Sequence, residues 1–171
     1  WLASPRRSLI GDGSGLLLNI SATRQYALQD PTQNHPTKPF LDAGHYVLSF
    51  DLPHHGERVR DEYAGHADEG AANGQIQAMS KAFTAGDDPF EQFVADGRAA
   101  LDACNERGIG ANGKIVAYGV SRAAYYLLRL AAADPRLRAV AGPSPVTDWA
   151  ALPEFARFGN ESKTEQLHIG N

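Results

Sequence analysis

The chain has 171 residues, 43% apolar and 21% charged, with a net charge of −4 and an isoelectric point near 5.8. That length and balance fit one soluble domain with a core of its own, spanning residues 1–171. The acidic balance argues against nucleic acid or an anionic membrane as partner, the single cysteine excludes an intramolecular disulfide and a thiolate metal cluster, and no apolar run approaches the ~20 residues of a membrane span. The chain begins at Trp1 rather than Met, as a processed product or a piece of a longer chain would. No signal peptide is visible, so a cytoplasmic location is expected, although removal of such a segment would leave the same sequence.

Gly11-Asp12-Gly13-Ser14-Gly15 has glycine spacing but precedes a strand, which is the wrong side for a dinucleotide fingerprint. Leu16-Leu17-Leu18-Asn19-Ile20 reads as a central strand, and residues 21–25 as the loop at its C-terminal end. In an open parallel sheet that edge is where ligands bind. Residues 36–43 predict a short helix closed by Gly44, and residues 45–51 the next strand. Residues 60–74 are polar and read as a solvated insertion. Ile76, Met79, Ser80 and Phe83 recur at helical spacing, so residues 75–85 predict a small amphipathic helix. Insertion and helix together, 60–86, could cover a pocket as a lid or pack on the fold as an ordinary surface helix.

Asp87-Asp88-Pro89-Phe90-Glu91 is a helix start: Asp88 at the N-cap, Pro89 at the first helical position, Glu91 closing a capping-box-like pair. Phe90, Phe93, Val94, Leu101 and Cys104 share one face of that helix, so Cys104 reads as a buried apolar residue rather than a reactive thiol. Gly108 ends it. The apolar run 115–118 is a buried strand, the Ala- and Leu-rich stretch from Ala123 is a helix, and Asp134-Pro135 stops that helix. Residues 136–142 form a further strand. Strand and helix alternate, which predicts an α/β fold with a mostly parallel sheet flanked by helices on both faces.

Ser121 then falls on the tight turn between strand and helix, within Gly119-Val120-Ser121-Arg122-Ala123. Gly119 lets the backbone bend, and the Arg122 N–H lies at a helix start, where donors are unpaired and the dipole favours negative charge. A hydroxyl beside such a donor can act as a nucleophile; it can also simply cap the helix. The stretch resembles the nucleophile elbow, Gly-x-Ser-x-Gly, of the α/β-hydrolase superfamily, with Ala123 in place of the second glycine. Two further stretches share that resemblance, particularly to the dienelactone-hydrolase and prolyl-oligopeptidase-like branches. Asp51-Leu52-Pro53-His54-His55-Gly56 is similar to the Asp-x-Pro-x-His-Gly turn that follows a strand there. Ser144-Pro145-Val146-Thr147-Asp148-Trp149 is similar to the exit from a later strand.

The resemblance implies a serine hydrolase acting on a small carboxylic ester or related acyl compound, and no metal or organic cofactor is expected, because the sequence shows no ligand cluster or phosphate loop. Ser121 would attack, and the oxyanion would be held by the Arg122 N–H and a donor at Ser21 or Ala22, where the family's His-Gly motif is absent. His54 and His55 belong, on the family pattern, to loop-shaping hydrogen bonds rather than to the general base. A serine needs a base and an orienting acid. In the family's order both follow the serine, and here that leaves Asp148 as a candidate acid and His168 as the one later histidine. Two expectations stand: the acid and histidine lie outside the given chain, or Asp148 and His168 complete the set within it. The alternatives to an esterase are a peptidase of the prolyl-oligopeptidase type and a non-catalytic binding protein on an incomplete hydrolase fold.

Overall fold

A computed structural model of the chain describes residues 1–32, 34–63 and 70–158. The strands are β1 (Leu2–Ala3), β2 (Leu16–Ile20), β3 (Tyr46–Leu48), β4 (Ile115–Gly119) and β5 (Leu137–Ala141). The helices are α1 (Arg24–Gln29), α2 (Thr37–Asp42), α3 (Gly70–Ala85), α4 (Pro89–Asn105), α5 (Arg122–Ala133) and α6 (Pro153–Phe158). The strands form one sheet in the order β1-β3-β2-β4-β5, parallel except for β1, which pairs antiparallel with β3. The α/β class expected from the alternation is what the backbone adopts.

The order of strands has a direct consequence for the site. From β2 the chain steps sideways to β3, whereas from β4 it steps the opposite way to β5. Right-handed crossovers in opposite directions put their helices on opposite faces. Thus α2 packs on β2 and β3, while α5 packs on β4 and β5 with α4 beside it. Adjacent strands β2 and β4 therefore send their chains to different faces, and a crevice opens beyond their carboxyl ends. The register Ile20↔Gly119 places Ser21 and Val120 side by side at its floor.

The core is continuous through the sheet and the α4–α5 layer. All five residues of β2 are buried, as a strand covered on both faces requires. Phe90, Phe93, Tyr125, Tyr126, Trp149 and Phe155 pack ring against ring, with Phe90 stacked on Tyr126 at 5.0 Å. Cys104 is buried, and burial pushes its thiol above the ordinary value, which keeps it protonated and inert as read.

Several boundaries differ from expectation. The loop expected at 21–25 already contains the start of α1: Thr23 caps it by accepting the Tyr26 N–H at 3.3 Å. The strand expected at 45–51 pairs only over Tyr46–Leu48, and Asp51 instead turns its buried carboxylate onto α1. α3 begins at Gly70, inside the stretch read as insertion, and Ala78, Met79 and Ala82 are buried, so its C-terminal half belongs to the core. Asp88 caps α4 by accepting the Phe90 and Glu91 N–H groups, but the capping box stays open: Glu91 reaches Arg129 at 2.6 Å instead. The short antiparallel β1 carries no sequence signal of its own.

Candidate active site

Ser121 sits between β4 and α5 with φ +56° and ψ −121°. That is left-handed backbone that a serine adopts only when its surroundings hold it there, at a cost on the order of 1–3 kcal/mol. Two sources of restraint are visible. Below the turn, Gly119 leaves room for α5: a Cβ there would lie 2.8 Å from Leu127 Cδ1 and 3.1 Å from the Ala123 methyl. The missing second glycine of the elbow pattern is thus accommodated, because the first one vacates the space that Ala123 fills. Beside the turn, the Ser121 N–H donates to the Pro143 carbonyl at 3.1 Å and the Ser121 carbonyl accepts the Val146 N–H at 3.4 Å. The segment after β5 therefore clasps the elbow from its flank.

The Ser121 side chain makes no cap to its own helix and is exposed. The plain N-cap role weighed for it is not the one it adopts. It lines a cleft of about 420 Å³ together with Ser21, Ala22 and Arg122. The Ala22 carbonyl is occupied by the Leu52 N–H at 3.2 Å, whereas the Ala22 and Arg122 N–H groups meet no acceptor among the described residues. Three elements expected at one sheet edge, the elbow, its following N–H and the loop after β2, do meet at one cleft.

The cleft has two unlike flanks because the topology builds them from different segments. On the β5 side stand Val146, Trp149 and Leu152, joined by Ile76 from α3, which packs on α6. On the β2 side stand Tyr26, Asp30 and Thr32, from α1 and the turn after it. Asp30 is held in that turn by the Thr32 N–H at 2.8 Å and by the Thr32 hydroxyl. None of the polar three was singled out in the sequence, since a six-residue helix after a strand has too few turns to show periodicity.

The loop of the Asp51 motif supports the cleft from behind. Asp51 is 3% exposed and accepts the Arg24 N–H and a guanidinium N–H, each at 2.7 Å, so it fixes the first turn of α1. Gly56, at φ +54°, lies so close that a Cβ would meet the Asp51 carboxylate at 2.7 Å. His55 is fully buried and its Nδ1 donates to the Pro53 carbonyl at 2.8 Å; burial holds its pKa down at about 3, with the nearby Arg122 charge adding to the effect. His54 is likewise pushed down by burial. Both imidazoles are neutral near pH 7, and neither lines the Ser121 cleft. The His55–Pro53 bond is a loop-shaping one of the kind the motif implies, whereas both ring nitrogens of His54 are buried with no hydrogen-bond partner among the described residues.

Of the candidate acid and base, Asp148 accepts the Ala151 N–H at 3.1 Å, as a turn former does, and does not line the cleft. His168 lies outside the described residues. The Arg122 guanidinium turns inward: its Nη1 is buried without a partner among the described residues, and burial lowers its pKa, with Tyr126 and Glu154 opposing that shift. No three His, Cys, Asp or Glu side chains among the described residues gather closely enough to hold a metal ion. Among them, too, no helix is long and apolar enough to cross a membrane.

The fold and cleft together define an α/β protein with a strained serine at the switch point of its sheet. In comparisons with known proteins, no family model matches the chain and no curated protein matches it.

Proposed function

We propose that the protein is a serine hydrolase of the α/β-hydrolase kind, cleaving a carboxylic ester through an acyl-enzyme at Ser121. One observation carries this: Ser121 is kept in left-handed backbone at a strand–helix turn, with its side chain exposed in a cleft rather than spent on capping. In the proposed step the Ser121 oxygen attacks the ester carbonyl and loses its proton to a base. The carbonyl electrons move to an oxyanion held by the Arg122 N–H and the Ala22 N–H, or a donor at Ser21. Collapse expels the alcohol, which takes that proton, and water then releases the acid by the same route. The base comes from outside the described residues, since no histidine among them lines the cleft. The β5-side wall of Val146, Trp149 and Leu152 suits an apolar acyl group.

A fluorophosphonate probe with intact-mass detection tests the nucleophile. One adduct, lost in Ser121→Ala, is the expected result. A folded protein that takes up no probe would sink the enzymatic reading and favour a non-catalytic binding protein. Parallel assays on ester and peptide substrates separate an esterase from a prolyl-oligopeptidase-type peptidase, and ester cleavage is expected to dominate.

A further inference from the structure

The nucleophile's cleft does not end at α1. Tyr26 and Asp30 line it on one side and on the other line a second cavity of about 600 Å³. The additional walls of that second cavity include Thr23, Gln25, Gln29 and Gln75. Gln25 and Gln29 are one helical turn apart on α1, so their amides share a face, and Gln75 approaches from α3. None of the three amides is spent on a protein partner among the described residues.

The chemistry of this lining is selective. No Lys, Arg or His lines it among the described residues, so an anionic group would find no counter-charge among them and would meet the Asp30 carboxylate. It lacks the aliphatic wall that the β5 flank presents, so a hydrocarbon chain has little to bury against. Amides and hydroxyls both donate and accept, and a carboxylate accepts from two donors at once. Such a set matches a molecule carrying several neighbouring hydroxyls. At the seam between the two cavities, Tyr26 is 50% exposed, presenting a ring on which the C–H face of a sugar ring can lie. Asp30 beside it is braced by Thr32, so its carboxylate is pre-set rather than searching.

From this juxtaposition of a strained serine, an apolar flank and an adjoining amide-lined cavity, we infer that the alcohol part of the substrate is a carbohydrate: the protein binds an O-acylated sugar, with the sugar over Tyr26 and the acyl group toward Trp149. The chemistry rests on the Ser121 reading; the sugar-binding claim can be measured without it.

The test uses the full chain carrying Ser121→Ala, so that nothing is turned over, and follows binding by saturation-transfer NMR and titration. The probes are a mono-acetylated methyl xyloside, ethyl acetate and an acetylated dialanine methyl ester. The glycoside is expected to bind about ten-fold more tightly than ethyl acetate, with saturation reaching its ring protons. Gln29→Ala and Tyr26→Ala, both at the surface, should each bring that preference to about three-fold or less with unchanged circular dichroism. Equal binding of glycoside and ethyl acetate, tighter binding of the peptide ester, or a preference indifferent to both variants would each overturn the inference. Fluorophosphonate labelling of the wild-type chain separates the two claims. Labelling without glycoside preference removes the sugar site and keeps the serine; glycoside preference without labelling does the reverse.

Discussion

Replacing Gly119 with alanine should disturb the elbow, because the added methyl group has no free space on the α5 side. The added Cβ would stand 2.8 Å from Leu127 Cδ1, 3.0 Å from the Ala123 carbonyl carbon and 3.1 Å from the Ala123 Cβ. The Leu127 contact can relax by rotation at the end of a side chain. The Ala123 contacts are to the first turn of α5, so relief there moves the helix start that carries Ser121 and the Arg122 N–H. Overpacking of this kind costs about 1–3 kcal/mol. For a chain of this size each kcal/mol lowers the melting temperature by about 2–4 °C, so a drop of about 2–12 °C is expected by calorimetry. A shift of the nucleophile by a fraction of an ångström should slow fluorophosphonate labelling by about ten-fold or more. Ala123→Gly removes one of the three close contacts, the 3.1 Å one to the methyl group, so the double variant should be less destabilised than the sum of the singles. If Gly119→Ala melts within a degree of the parent and labels at the same rate, α5 does not lie against β4 as described.

Three further expectations concern strain, pH and capping. Ser121→Gly should be more stable than Ser121→Ala by about 1–2 kcal/mol in urea denaturation, because glycine adopts φ +56° without the cost that any Cβ carries; equal stabilities would mean the turn is not strained. His55 is held at about 3 in the fold against an ordinary 6.5, so the unfolded chain takes up the proton first. Its contribution is fully present above pH 6.5 and is lost as pH falls toward 3, by several kcal/mol at the extreme. The urea midpoint should fall across pH 6.5 to 4, and His55→Asn, whose amide can still donate to Pro53, should flatten that slope. Asp88→Ala removes the acceptor for two N–H groups at the start of α4 and should cost about 0.5–2 kcal/mol; a loss near zero would show that Pro89 alone suffices to start the helix.

Much of the fold could be read in one dimension because its signals are local. The all-apolar run 16–18 with Ile20, the Asp88-Pro89 helix start and the Asp134-Pro135 stop each depend on neighbours a few residues away, and each appears where read. The nucleophile's turn was legible for the same reason: a glycine two residues before the serine and a helix-forming run after it specify a bend. Where expectation and structure part, a distant partner decides. Glu91 suits a capping box by spacing, but Arg129 on α5 outcompetes the local N–H. The polar stretch before Gln75 reads as solvated, yet α3 extends back to Gly70 because its following turns are anchored on the core through Met79 and Phe83.

What the sequence by itself determined, then, is the order of strands and helices and the presence of a serine at a strand–helix bend, since backbone sterics and hydrophobic period act over a few residues. Only the tertiary structure decided that β2 and β4 lie side by side with their chains leaving to opposite faces. Only it brought Tyr26, Asp30 and Trp149 around that bend. Pairings across nearly a hundred residues are set by which faces can be buried together, and no short window of residues encodes that choice.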